Sequence, residues 1–407
     1  MSRKQTTKCG KCGFCLSVCP VYSVLSEEQS SPRARVQLIK NYEEGRLKTS
    51  PLLKEIISKC LMCGSCSASC PSEVDHYSQF IRMRSAMVED HGDRVEIKSL
   101  VYLLAREQRL ALAASVARLG QGFVPDRFVR KYKLANIPIN RFPALNRKPF
   151  RTSVAEEHSV PGRSRGTVLY FTGCATNYIY DETGYSTVCL LKKMGYQVII
   201  PAKQTCCSIP MLFHGAEERA KSNILQNIEC FNAEEAEAII VDCPTCGSAL
   251  KNEYPAMVRR YGLNPYRAEA ISGKVIDIMS FVYDRRDQLE IDPALSEKQG
   301  GLTYHTPCHL KNCFDPADRL LRELDGIEYL PAADSQECCG GGGTFFYEYP
   351  DVSRVLAERK VDNAKKTGAA LWLTDCPVCR INLSGQLADE DSIVMSHPVQ
   401  FLEKILR

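Results

Sequence analysis

Cys9, Cys12, Cys15 and Cys19 follow one another at intervals of three, three and four positions, and Pro20 closes the run. Cys60, Cys63, Cys66, Cys70 and Pro71 repeat that spacing 51 positions later. Thiolates at these positions are soft donors of the kind that iron–sulfur clusters and zinc select. The spacing is the one used for cubane [4Fe–4S] clusters, in which three cysteines of a tight loop hold one cluster and the fourth reaches the other cluster. On that rule Cys9, Cys12, Cys15 and Cys70 hold one cluster, and Cys60, Cys63, Cys66 and Cys19 hold the second. The prolines lack an amide proton and turn the chain out of each loop. Structural zinc also uses CxxC pairs, but two zinc sites would need no proline-flanked fourth cysteine, so the cluster reading is preferred.

A second cysteine pattern is also written twice. Cys174, Cys206, Cys207, Cys243 and Cys246 return as Cys308, Cys338, Cys339, Cys376 and Cys379, displaced by 132 to 134 positions. This marks an internal duplication. Five converging thiolates exceed what tetrahedral zinc uses. An adjacent pair such as Cys206–Cys207 does not easily cap one cubane iron each. It suits an unusual cluster in which one thiolate bridges two irons.

The elements that must position these residues change character along the chain. Between the first two motifs, Val36, Leu38 and Ile39, then Leu52, Leu53, Ile56 and Ile57, recur at helical spacing. A further helix is expected from Val74 to about Val88. From Thr167 short apolar runs alternate with helical stretches: "TVLYFTGC", "YQVIIP" and "EAIIVDCP" read as strands, as do "LTYHTPC", "IEYLP" and "ALWLTDCP". Such alternation argues for a mainly parallel sheet in each half. Each half ends on a helix, "DIMSFVYD" or "HPVQFLEK". The cysteines follow strand ends, where ligands of open α/β sheets collect. The expected fold is α+β and multidomain: a helical two-cluster ferredoxin module, residues 1–92, a helix and basic Pro-rich linker, 93–165, and two duplicated α/β domains, 166–290 and 301–407.

Composition narrows the function classes. At 407 residues the chain is long for one core. A net charge of +4 does not suggest nucleic acid. The 21 cysteines, odd in number and clustered, argue for metal ligation in a reducing compartment rather than a disulfide framework. The most apolar stretch, from Ser99, is broken by Arg106, Glu107, Arg109 and Arg118 and reads as one amphipathic or buried helix, not a membrane span. No apolar stretch precedes Cys9, so no signal peptide is expected. Cys189, Cys230 and Cys313 lie outside the motifs and read as small buried hydrophobes. His214 and His309 read as structural or supporting partners before proton donors. Gly340 to Gly343 lack a GxGxxG arrangement and are read as letting backbone amides approach cluster sulfides. No flavin or nicotinamide fingerprint is present. Residues 118–165 carry eleven Lys or Arg against three acids, read as a solvated linker or, more sharply, a docking strip for an acidic partner or membrane surface.

The order Cys, CysCys, CxxC resembles the cysteine-rich CCG domain of heterodisulfide reductase catalytic subunits and of glycolate and lactate oxidase iron–sulfur subunits. "CGFCLSVCPVYSVL" with "SPRARVQLIK", and "CLMCGSCSASCPSEV", are similar to the glycolate and lactate oxidase group; "YHTPCHLKN" and "CCGGGGTF" are similar to the wider family. The resemblance covers nearly the whole chain. It implies two cubane [4Fe–4S] clusters and one or two noncubane [4Fe–4S] clusters in the CCG domains, and it admits zinc in one of these. It also implies an oxidoreductase subunit that takes electrons from an FAD-containing dehydrogenase partner acting on a 2-hydroxyacid. Those electrons would pass to quinone or another carrier. The expected location is cytoplasmic, with peripheral membrane contact through partners. Many glycolate-type members lack a cysteine of the CxxC, whereas this chain keeps all ten. That departure keeps a rival open, a catalytic subunit that itself reduces a disulfide at a noncubane cluster. The crossed ligand assignment has a direct test. Cys19→Ser is expected to remove the cluster capped by Cys60, Cys63 and Cys66 and spare the other. EPR spectra that lose only the cluster capped by Cys9, Cys12 and Cys15 would refute it.

Overall fold

The computed structural model describes residues 8–123, 133–134, 137–298, 300–311, 314 and 317–407. The repeat of the first motif extends to its backbone. Lys11 and Met62 take φ values of 59° and 53°, and Gly13 and Gly64 take 88° and 77°. Each loop therefore makes two left-handed residues before a short helix, Phe14–Ser17 or Ser65–Ala68. Helices Pro32–Glu43 and Pro51–Ser58 form where the apolar spacing predicts them. Both start the same way: Ser31 and Ser50 accept from the amide three residues on, at 3.0 and 3.1 Å, and proline fills the first helical position. The next helix runs His76–His91, capped by Asp75.

The single helix expected from Ser99 is two helices, Val95–Leu104 and Glu107–Phe123. The break has a tertiary cause. The Leu104 carbonyl accepts from the Asn223 side-chain amide at 2.8 Å, which caps the first helix from another domain. No helix among the described residues is long and apolar enough to cross a membrane. Part of the basic strip, 124–132 and 135–136, lies outside the described residues. Of the rest, Arg151 pairs with Glu107, and Arg141 donates to Asp389 at 3.3 Å. These two cations are engaged within the chain rather than free for a partner.

After a small antiparallel hairpin, β1 (Lys133–Leu134) and β2 (Ile137–Pro138), the chain builds two sheets. The first comprises β3 (Glu157–His158), β4 (Gly166–Phe171), β5 (Tyr196–Ile199), β6 (Ala238–Val241) and β7 (Val275–Asp277) in the order β3-β5-β4-β6-β7. All pairs are parallel except the β3 edge. The second, β8 (Leu302–Tyr304), β9 (Leu371–Leu373) and β10 (Val394–Ser396), is wholly parallel in the order β10-β9-β8. The expected "IEYLP" strand is reduced to one bridge, Tyr329 beside Leu302. β7 and β10 were not anticipated: each runs directly into the helix expected at "DIMSFVYD" or "HPVQFLEK". The helices expected at "DIMSFVYD" and "HPVQFLEK" are Ile278–Tyr283 and Pro398–Ile405.

β4 is buried on both faces, as the central strand of a parallel sheet must be. Its Leu169 and Phe171 join a core shared with Val36, Ile57 and Phe80 of the N-terminal module. Val168 and Tyr170 join a different core with Leu302, Tyr304 and Phe401 of the second half. A third core joins Val21 and Leu61 to Phe345, Val352 and Leu356. The three modules are thus packed on one another pairwise.

Arg84 is buried among them and makes no carboxylate pair in the described structure. Its guanidinium donates to the carbonyls of Ser58 and Cys60 at 2.8 Å and of Phe213 at 2.7 Å. Arg84→Met would strand those carbonyls and is expected to cost roughly 2–4 kcal/mol, read as a lower thermal midpoint. Glu253 is buried beside Asp75, and burial raises its carboxyl from 4.5 to about 8. Between those values the folded chain keeps a proton that the unfolded chain releases, so this residue lowers stability as pH rises through the window. Glu253→Gln is expected to stabilise by up to roughly 4 kcal/mol at pH 9 and by little at pH 4.5. Thermal melts of equal gain at both pH values would refute this.

Candidate metal centres

The first loop lies at the surface: Cys12 is exposed, Cys9 half-buried and Cys15 buried. Cys15 feels the charges of Cys9 and Cys12, its loop partners. Cys19 does not stay with them electrostatically; its sulfur is influenced by Cys60, and Cys66 by Cys63, Cys60 and Cys19. Gly10 stands next to Ser72, which brings the Cys9 loop against the chain beyond Cys70. Cys19, the fourth cysteine of the first motif, therefore leans towards the second motif. Backbone amides also reach these sulfurs, from Tyr22 to Cys19 at 3.5 Å, from Met62 to Cys60 at 3.4 Å and from Val74 to Cys70 at 3.5 Å. Burial pushes the Cys63 thiol up to about 12, helped by the nearby sulfurs of Cys338 and Cys60.

In the first cysteine-rich half, Cys174 follows β4 and Cys243 follows β6, adjacent parallel strands whose ends open together. The sulfurs form an unbroken series: Cys174 beside Cys206, Cys206 beside Cys207, Cys207 beside Cys246, and Cys246 beside Cys243. The second half does the same with Cys308, Cys338, Cys339, Cys379 and Cys376, and Cys339 and Cys379 approach to 3.0 Å. The residue after each cysteine pair is left-handed, Ser208 at φ 76° and Gly340 at 80°. This turn aims following amides back at sulfur; Gly341 donates to Cys339 at 3.4 Å. Ten converging thiols, buried or half-buried, suit a soft metal or cluster that holds them as thiolates.

The duplicated halves meet face to face. Tyr170 donates to Asp242, the residue before Cys243, and Tyr304 donates to Asp375, the residue before Cys376. Burial raises Asp242 to about 6 and Asp375 to about 7. His397 donates from Nε2 to the Asp242 carbonyl at 2.9 Å. His309 joins all three modules. Its Nε2 lies 3.2 Å from the Met62 carbonyl, an acceptor, so that nitrogen carries the proton and Nδ1 accepts from the Thr245 hydroxyl at 3.1 Å. The Thr245 hydroxyl also lies within hydrogen-bonding reach of the Cys376 sulfur. His214 is held by Thr344 at 2.6 Å and lies 3.6 Å from Asp93. Both histidines are tied into the fold by these contacts.

Cys189 donates to Glu403 at 3.2 Å and Cys230 to the Asn227 carbonyl at 3.5 Å, away from the sulfur clusters. Cys313 lies outside the described residues. Sequence reasoning missed Arg84 and the buried carboxylates. The carboxylates had a signal: Tyr170 and Asp242 recur as Tyr304 and Asp375 in the duplication. It also missed His305, which is buried against Cys339 and Cys379. Burial, with the Lys360 ammonium nearby, holds its imidazole well below the usual histidine range.

Comparison with known proteins places these motifs in a family. Residues 5–74 match the 4Fe-4S dicluster domain, and residues 168–251 and 302–384 each match the cysteine-rich CCG domain. The probable glycolate oxidase iron-sulfur subunit of Bacillus subtilis is 26% identical, covering 94% of this chain and 89% of its own. The glycolate oxidase iron-sulfur subunit of Escherichia coli is 27% identical, covering 98% and 93%. Lactate utilization protein A of Geobacillus kaustophilus is 30% identical over 54% of this chain and 91% of its own length. Two cysteine loops with their left-handed turns, followed by two five-sulfur sheet ends, are what these matches describe, and the chain belongs to the family of dicluster, CCG-domain iron–sulfur proteins of the glycolate and lactate oxidase type.

Proposed function

We propose that this chain is the electron-transfer subunit of a flavin-dependent 2-hydroxyacid oxidoreductase, receiving electrons from an FAD-containing partner and delivering them to quinone or another carrier. One observation carries the reading: three of the four cysteine sets, the two loops and that of the second CCG half, are arranged in series from the surface inwards. Cys12 is exposed beside the exposed Phe14. Cys66 lies within electrostatic reach of Cys15, and Cys63 within reach of Cys338 and Cys308. Cubane clusters supply one-electron steps when bound.

In this reading Cys9, Cys12, Cys15 and Cys70 hold the outer cluster, and Cys60, Cys63, Cys66 and Cys19 hold the inner one. The two five-cysteine sets hold noncubane clusters, one of them replaceable by zinc. The domains divide as 1–92, 93–165, 166–290 and 301–407. The chain's own residues set the environment. Amides at Tyr22, Met62, Val74 and Gly341 donate to sulfur and stabilise its negative charge. His309 fixes the Met62 carbonyl against Thr245, which holds the inner loop at fixed distance from both CCG sites.

The anaerobically purified chain is expected to contain iron and acid-labile sulfide at about sixteen each, four per cluster, and to oxidise neither glycolate nor lactate with an artificial acceptor. Activity is expected only once a flavoprotein subunit is added. Zinc with negligible iron would end the electron-transfer reading. Turnover of a small disulfide by the reduced chain alone, abolished by Cys338→Ala, would install the disulfide-reducing alternative.

A further inference from the structure

The two CCG halves align in sequence around their sulfurs, and one of the differences beside them is a histidine in the strand itself. Tyr170, Thr172 and Cys174 correspond to Tyr304, Thr306 and Cys308, but Phe171 corresponds to His305. In the first half the Phe171 ring shares its core with Cys206, Cys207 and Cys246, and offers them no polar atom. In the second half a ring nitrogen of His305 lies within 4.8 Å of both Cys339 Sγ and Cys379 Sγ, and those sulfurs are 3.0 Å apart. The backbone amide of His305 donates to the Leu373 carbonyl at 2.9 Å, which extends the β8–β9 pairing and fixes where the ring enters.

His305 is 1% exposed, and neither ring nitrogen makes a hydrogen bond. The Ser335 backbone acts on the ring as a weak hydrogen-bond acceptor outside strict hydrogen-bond geometry. A buried imidazole left in that condition costs about 1–3 kcal/mol for each unsatisfied polar group. Ligation to a metal removes the cost at one nitrogen, and ligating histidines commonly turn the other N–H towards a backbone carbonyl. Three donors converge from three separate segments: the end of β8, the cysteine pair and the CxxC helix Pro377–Ser384.

We infer that His305 is a nitrogen ligand of the second CCG centre, forming with Cys339 and Cys379 a mixed nitrogen–sulfur metal site that the first centre lacks. The inference rests on the reading that the Cys308 set holds metal. The ligand set suits either an iron of a cluster or zinc, both of which accept imidazole beside thiolate. If the metal is iron, exchanging a thiolate-only environment for one containing neutral imidazole removes negative charge from the centre. That raises its reduction potential, as histidine does in Rieske centres. The two halves would then be redox-inequivalent despite equal cysteine sets.

The test uses the full chain, labelled with [15N]histidine and purified anaerobically, so the wild-type protein reports without any variant. The second centre is assigned as the EPR signal, or the zinc, that disappears in Cys338→Ala. The expected result is a directly bonded nitrogen coupling on that signal, changed by the isotope and absent in His305→Phe, together with a negative shift of its midpoint potential. If the centre is zinc, its K-edge absorption is expected to contain a nitrogen scatterer that His305→Phe removes. Metal at the second centre with sulfur-only coordination and an unmoved potential would overturn the inference while leaving the functional reading intact. Lack of any metal lost on Cys338→Ala would overturn both.

Discussion

The loop that carries Cys60, Cys63 and Cys66 is held from behind by two buried guanidinium groups, and the relation of the three modules depends on that grip. Helix Pro51–Ser58 ends where its last carbonyls have no intrahelical donor, and its dipole places negative charge there. Arg35 donates to the carbonyls of Ile56 and Lys59. Arg84 takes those of Ser58 and Cys60, and with its other arm the Phe213 carbonyl of the first CCG domain. Gly215 follows closely, where a Cβ would lie 2.7 Å from the Arg84 backbone. The inner cysteine loop is thereby fixed to the first CCG domain before any metal is considered.

Much of the candidate site was legible because cysteine spacing is a local property. Both loops, both five-cysteine sets and the central strands stand where the sequence pattern puts them. Features that failed to announce themselves depend on distant partners. The helix from Val95 ends because Asn223 caps Leu104, and nothing near residue 104 encodes that. β7 and β10 are outermost strands that pair on one side only, with β6 and β9. Arg84 sits in an ordinary amphipathic helix, and only the fold turns it towards three carbonyls. In the basic strip the charge count is local, but the engagement of Arg141 by Asp389 and of Arg151 by Glu107 depends on residues outside 118–165.

The duplication is faithful where it builds sulfur geometry and diverges where it meets the N-terminal module. After Cys206–Cys207 the chain enters helix Ile209–Phe213, whose apolar residues fill the core beneath the first sheet. After Cys338–Cys339 it runs through four glycines instead. A Cβ on Gly342 would lie 2.5 Å from Leu61 Cδ2, and φ there is 48°. Glycine is required at that point because the inner cysteine loop passes directly over it. Cys308 and Cys338 consequently pack against the buried cluster that holds Cys19 and Cys63, whereas Cys206, Cys207, Cys243 and Cys246 of the first half lie in the core on which Cys60 packs. The two halves of the duplication therefore meet the inner loop in different ways, and the half whose Cys308 and Cys338 lie within electrostatic reach of Cys63 is also the half that carries an imidazole among its sulfurs.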